Sequence, residues 1–184
     1  MSEFVQEMAV DIGGGKGEYF VQRARENPEK TFLILEPSPL RLKREPPNLH
    51  VIRWRSDEES FLPLKAASVD EANINFLCGE IRDRDDDVGR AEKFEVDRYR
   101  KLLRDLKEVL KNGALVRIAD VRGNIGAIKN LLEEEGYKIT LAPIRLMDED
   151  RTAWSKCFFD VFEKGGKSEE ESVALPMTIE AQWE

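Results

Sequence analysis

The chain has 184 residues, 41% hydrophobic and 36% charged, enough for one domain with an ordinary apolar core under a heavily charged surface. Lys and Arg total 29 against 37 Asp and Glu, a formal net charge of −8, which argues against a generally basic nucleic-acid-binding surface. Two cysteines, Cys78 and Cys157, and one histidine, His50, exclude a disulfide framework and a four-cysteine zinc site and leave little for histidine-based metal or Ser-His chemistry.

The opening stretch, Met1-Ser2-Glu3-Phe4-Val5-Gln6-Glu7, is acidic and lacks the basic-then-apolar order of a signal peptide. No uninterrupted apolar run reaches the ~18–20 residues of a membrane span. A cytoplasmic protein with free thiols is expected, without membrane contact and without a bound metal.

Strand and helix signals then alternate. Met8-Ala9-Val10-Asp11-Ile12 is a short apolar run closed by glycines, and predicts a buried strand. Residues 17–27 carry helical spacing, with Phe20, Val21 and Ala24 on one face, and Asn27-Pro28 stops that helix. Thr31-Phe32-Leu33-Ile34-Leu35 is a second buried strand, closed by Glu36-Pro37. A helix between two such strands, with short joints, is a βαβ unit and implies parallel pairing.

Beyond the break at Pro46-Pro47, a weaker third strand covers His50-Val51-Ile52-Arg53-Trp54 and a fourth covers residues 72–77. The acidic stretch 81–90 reads as an exposed loop. The longest helix spans 94–110, with an apolar stripe of Tyr99, Leu102, Leu103, Leu106, Val109 and Leu110. Asn112-Gly113 is expected to cap it. A fifth strand at 114–119, a helix at 125–135 ended by Gly136, and strands at 137–144 and 157–163 follow. The division expected is a domain over 1–164 and a tail over 165–184, in which Trp183 is free to dock.

The strongest chemical signal is Asp11-Ile12-Gly13-Gly14-Gly15-Lys16-Gly17, between a predicted strand and a predicted helix. Glycines there admit positive φ and let main-chain amides approach a ligand. The second signal is Glu36, nineteen residues after Gly17, at the end of the second strand. An acid at that point accepts both hydroxyls of a ribose. Together they predict an adenosine-containing ligand across the C-terminal ends of the strands. The glycines stand two apart, unlike the G-x-G-x-x-G of nicotinamide and flavin folds, and no Gly-Lys-Ser/Thr ending makes a P-loop. Asp11 would repel a diphosphate and suits a cation, such as the amino group of a bound amino acid.

Asp-x-Gly-x-Gly-x-Gly followed by an acid at the second strand end resembles the Rossmann-like S-adenosylmethionine-dependent methyltransferases, over roughly residues 5–164. Leu62-Pro63-Leu64 with Ser68-Val69-Asp70 resembles the stretch these proteins carry before the fourth strand. Leu110-Lys111-Asn112-Gly113-Ala114 and Glu135-Gly136-Tyr137 resemble two of their later corners. The resemblance implies an α/β, Rossmann-like three-layer sandwich, with a mostly parallel seven-stranded sheet ending in a C-terminal antiparallel hairpin. A finer likeness, through Gly13 to Glu18, Asn27-Pro28-Glu29, Asn48-Leu49 and Asn75-Phe76, is to the tRNA (guanine-N7)-methyltransferase family. That family's Pro-Asp-Pro-Trp block is replaced here by Leu77-Cys78-Gly79-Glu80.

The cofactor implied is S-adenosyl-L-methionine. Gly13, Gly14, Gly15 and Gly17 would carry the turn, Asp11 would hold the ammonium group, and Glu36, with Pro37 beside it, would bind the ribose. Asp57, or its neighbours Ser56 and Glu58, would accept from the adenine amino group. Asn75 and Phe76 would flank the methyl group, and Asn75, Glu80 and Asp120 are the candidates for orienting or deprotonating the acceptor. Cys78 reads as a small buried residue, and Thr152 and Trp154 as core packing on the substrate side. The activity expected is methyl transfer to an N or O nucleophile of an unidentified small-molecule or macromolecular substrate. Two other readings stand beside it: an RNA-modifying enzyme, whose tRNA partner the negative charge disfavours, and a cofactor-binding regulatory domain without turnover. A second subunit, as in a homodimer, is one way to complete an open site.

Overall fold

A computed structural model of the chain describes residues 6–13, 17–37, 42, 45–55, 61–75, 88–145 and 176–184. Among them are seven strands: β1 (Met8–Ile12), β2 (Thr31–Glu36), β3 (Leu49–Arg53), β4 (Val69–Asn75), β5 (Leu110–Val121), β6 (Lys138–Arg145) and β7 (Pro176–Gln182). Three helices connect them: α1 (Glu18–Glu26), α2 (Val88–Val109) and α3 (Arg122–Glu134). The strands form one sheet in the order β3-β2-β1-β4-β5-β7-β6. β1 to β5 run parallel, and β7 runs antiparallel to both β5 and β6. The expected mostly parallel α/β sheet with an antiparallel hairpin is thus the observed one. No described helix is long and apolar enough to cross a membrane.

Interior parallel strands are covered on both faces and so read as continuous apolar runs. In β1, Val10 and Ile12 enter the larger core, with Tyr99, Leu103 and Leu106 of α2 and Ile128 and Leu132 of α3. Ala9 enters a smaller core on the opposite face, with Phe20 and Ala24 of α1 and Phe32 and Ile34 of β2. The Phe20 and Phe32 rings meet edge to face, with centroids 5.3 Å apart, a favourable arrangement for their quadrupoles. The end of α1 is held from outside. Asn48 Nδ2 lies within 3.0 Å of the carbonyls of Ala24, Asn27 and Lys30, which meets acceptors that a helix end leaves unpaired.

Chain order and spatial order part company at β1, which has β2 on one side and β4 on the other. Connections leave in opposite directions there, and a crevice opens at the C-terminal ends of the two strands. Gly13, the first residue after β1, stands at that crevice.

Two sequence expectations change, besides the start of α2, which lies at Val88 instead of 94 and makes residues 88–90, expected in a loop, helical. The residues expected to cap α2, Asn112-Gly113, lie inside β5, because the helix stops at Val109. The left-handed φ of Gly113, 78°, serves an irregularity in the strand. Between the pairs Val69↔Leu110 and Glu71↔Leu115, β4 advances two residues and β5 five. The second change concerns the stretch 165–184. Its last part is no tail, since β7 fills the place between β5 and β6 and buries Ile179 and Ala181 completely. Trp183 does dock, exchanging main-chain hydrogen bonds with Gly113 and Ala114 and packing on Tyr137. The strand expected at 157–163 lies outside the described residues.

Candidate functional site

Asp11 is the penultimate residue of β1 and is 1% exposed. It shares the α1 side of the sheet with Ala9, two residues earlier in the strand. Its register partner on β2 is Ile34, so Glu36 stands one pleat further along the same row. Neighbouring strands ~4.8 Å apart and a rise of ~3.3 Å per residue put the two Cα atoms about 8 Å apart. One small molecule can therefore touch both acids. Glu36 and the following Pro37 are half-buried, and the Glu36 carbonyl accepts from the Trp54 amide at 3.3 Å. That bond ties the end of β2 to the segment leaving β3.

The glycines begin and end the turn between β1 and α1. Gly13 has φ 76° and Gly17 φ 70°, a region where a Cβ crowds the following carbonyl. The Gly13 amide donates to the Leu35 carbonyl at 3.0 Å, which fixes the start of the turn beside Glu36. Gly17 is the N-cap of α1 and brings no capping side chain, so helix amides that normally take such a cap face the turn. A buried carboxylate, glycines at both ends of the turn and a second acid at the next strand suit a nucleoside with a cationic arm. They oppose a diphosphate, whose charge Asp11 would repel.

At the acceptor side, Asn75 ends β4 as the register partner of Ala119. Asp120 comes next on β5 and is fully buried. The fold therefore brings Asp11, Gly13, Gly17, Glu36, Pro37, the backbone of Asn75, and Asp120 to the C-terminal ends of four neighbouring strands. Gly14, Gly15, Ser56, Asp57, Glu58, Phe76, Cys78, Glu80, the acidic stretch 81–87, Thr152 and Trp154 lie outside the described residues, as does the side chain of Asn75. His50 lies in β3 and is exposed, away from this group.

A layer of charge beneath the site was not singled out by the sequence. Arg23 of α1 grips Glu71 of β4 with both terminal nitrogens, at 2.5 and 2.7 Å. Arg117 of β5 approaches Glu71 at 3.4 Å and donates to Glu180 of β7 at 2.7 Å. Asn73, 1% exposed, donates to Glu71 at 2.9 Å. Burial pushes the Glu71 carboxyl up, but the hydrogen bonds and charge of Arg23, then Asn73 and Arg117, outweigh it and hold the acid below its ordinary range. Burial likewise works against the charge on Arg23 and Arg117, and their carboxylate partners more than restore it. The signal was present in the sequence. Glu71, Asn73 and Asn75 alternate with Ala72 and Ile74, which an interior parallel strand ordinarily does not do.

No family model and no curated protein matches the sequence. Solved structures do match the fold. A SAM-dependent methyltransferase from Aquifex aeolicus superposes with a TM-score of 0.59 at 14% identity, over 96% of this chain and 83% of that one. The 16S rRNA methyltransferase KamB gives 0.60 at 15% identity, over 97% and 88%. A SAM-dependent methyltransferase from Methanosarcina mazei gives 0.61 at 12% identity, over 97% and 92%. The chain has the fold of SAM-dependent methyltransferases. Within that methyltransferase fold, the two acids and Gly13 stand at the crevice beside β1, where open α/β sheets hold their ligands.

Proposed function

We propose that the chain is an S-adenosylmethionine-dependent methyltransferase acting on an N or O nucleophile. One observation carries the reading: a carboxylate buried at the end of β1 beside a left-handed Gly13, with Glu36 one pleat further on the neighbouring strand. Asp11 accepts from the ammonium group of the cofactor, and Glu36 accepts from the ribose hydroxyls. Gly13, Gly14, Gly15 and Gly17 admit the ligand against the main chain. Pro37 and Asp57 border the nucleoside, and Phe76 walls it near the sulfur.

The bound cofactor supplies a methyl group on a positively charged sulfur, which needs alignment more than acid–base assistance. Asn75 orients the nucleophile by hydrogen bond at the end of β4. Asp120 or Glu80 takes the proton where the nucleophile carries one. Asp120 is buried one position past the register partner of Asn75, and Glu80 lies outside the described residues.

Calorimetric titration with S-adenosylmethionine and, separately, with NAD tests the reading. The site binds one S-adenosylmethionine per chain and discriminates against NAD. Glu36→Gln weakens S-adenosylmethionine about tenfold, the loss of one hydrogen bond to a charged acceptor. Preference for NAD, or indifference to Glu36→Gln, overturns it.

A further inference from the structure

β3 is the next strand beyond β2 from β1. Glu36, at the end of β2, is the register partner of Arg53, the last residue of β3. A ligand with its cationic arm at Asp11 and its ribose at Glu36 crosses one strand from arm to ribose. One further strand spacing, ~4.8 Å, carries its base to the segment that leaves β3. Trp54 opens that segment.

Trp54 is 3% exposed and sits in the larger core with Leu62. A buried indole N–H costs free energy unless an acceptor meets it. Here the acceptor is the carbonyl of Phe61, seven residues on, at 3.1 Å. The side chain of Phe61 is exposed, so it is the carbonyl that ties residue 61 to this junction. The Trp54 amide meanwhile donates to the Glu36 carbonyl at 3.3 Å. One residue therefore joins the main chain of the ribose acid, the end of β3 and the point at which the chain returns to the core. Asp57, expected at the adenine amino group, falls between Trp54 and Phe61 in the sequence. Fixing both ends of a short span removes conformational freedom that ligand binding would otherwise have to remove.

We propose that Trp54 is a positioning residue for the base. Its indole N–H, held on the Phe61 carbonyl, fixes where the chain leaves β3 and where it returns, and thereby which group the chain presents to the 6-position of the purine. Its main-chain bond to Glu36 keeps that choice in register with the ribose site. The inference rests on the cofactor reading above. It adds that selection of adenine over other purines depends on a residue that acts without touching the ligand.

S-adenosylhomocysteine and S-inosylhomocysteine differ at that position, amino in the first and oxo in the second. The wild-type chain prefers the first about tenfold. Trp54→Phe keeps an aromatic ring in the core and removes the N–H. It lowers the preference to under about threefold by weakening S-adenosylhomocysteine, and leaves S-inosylhomocysteine within about twofold. If the phenylalanine variant does not fold, β-(3-benzothienyl)alanine at position 54, which has the shape of tryptophan without the N–H, shows the same loss. Equal weakening of both ligands makes Trp54 merely structural and overturns the proposal, as does an undiminished preference. A wild-type chain that binds both ligands equally overturns this inference alone. One that binds neither overturns the cofactor reading and this inference with it.

Discussion

At the scale of single residues, acids dominate. Glu71 neutralises two arginines that are themselves largely withdrawn from water. Glu135 pairs with two cations of α2: it is 9% exposed and takes the exposed Arg104 at 2.9 Å and Lys107 at 3.1 Å. The Arg104 hydrogen bond, the largest effect, is opposed by burial and helped by Lys107, and together they hold the Glu135 carboxyl below its ordinary range. A carboxyl lowered in the folded state contributes stability above its unfolded pKa and loses it as pH falls through the folded one. Both acids ordinarily titrate near 4.5. The melting temperature is therefore expected to hold from neutral pH down to about that value and to fall steeply below it. Glu71→Gln costs about 2 kcal/mol at pH 7, by taking from Arg23 the carboxylate it grips, and makes the acid fall shallower. Melting curves between pH 7 and pH 3 check both, and a Glu71→Gln profile parallel to wild type contradicts the account.

Among the elements, those with complete local signals were legible. β1, α1 and β2 needed only an apolar run, a glycine turn, an i,i+4 pair in Phe20 and Ala24, and the Asn27-Pro28 stop. Their observed limits fall within a residue or so of the expected ones. β7 was hidden. Ile179 and Ala181 alternate with Glu180 and Gln182, but the pattern is short and follows a glycine- and glutamate-rich stretch that reads as linker. Long-range pairing with β5 and β6 makes it a strand, and no local rule contains that pairing. Gly113 misled in a similar way: a glycine after a helical stripe suggests a cap, whereas its positive φ is spent inside β5. If β7 is integral, Ile179→Ala costs about 3 kcal/mol in urea denaturation, while Gln182→Ala at the half-buried edge costs under about 1 kcal/mol. Equal small effects would mean that β7 is peripheral.

For the whole molecule, the two sheet faces are built differently. α2 and α3 cover one with a continuous apolar core. On the other, α1 packs by Phe20 and Ala24 over β1 and β2 and by the Arg23 ion pair over β4. Arg23 also lies over the Tyr19, Phe20 and Phe32 rings, 5.4–5.6 Å from their centroids, a favourable place for a cation. The helix that follows the glycine turn is thus anchored by charge as well as by packing. The positions of Asp11, Gly13 and Glu36 were legible because each lies at or beside a strand end set by local sequence. The ion pairs of Glu71 were not, because they depend on which elements lie beside β4.

The most direct measurement of the central claim is a crystal structure with S-adenosylhomocysteine bound. The account predicts the ligand across the C-terminal ends of β1 and β2, its ribose hydroxyls on Glu36 and its amino group against Asp11. Ligand bound elsewhere on the chain, or none at saturating concentration, would contradict it.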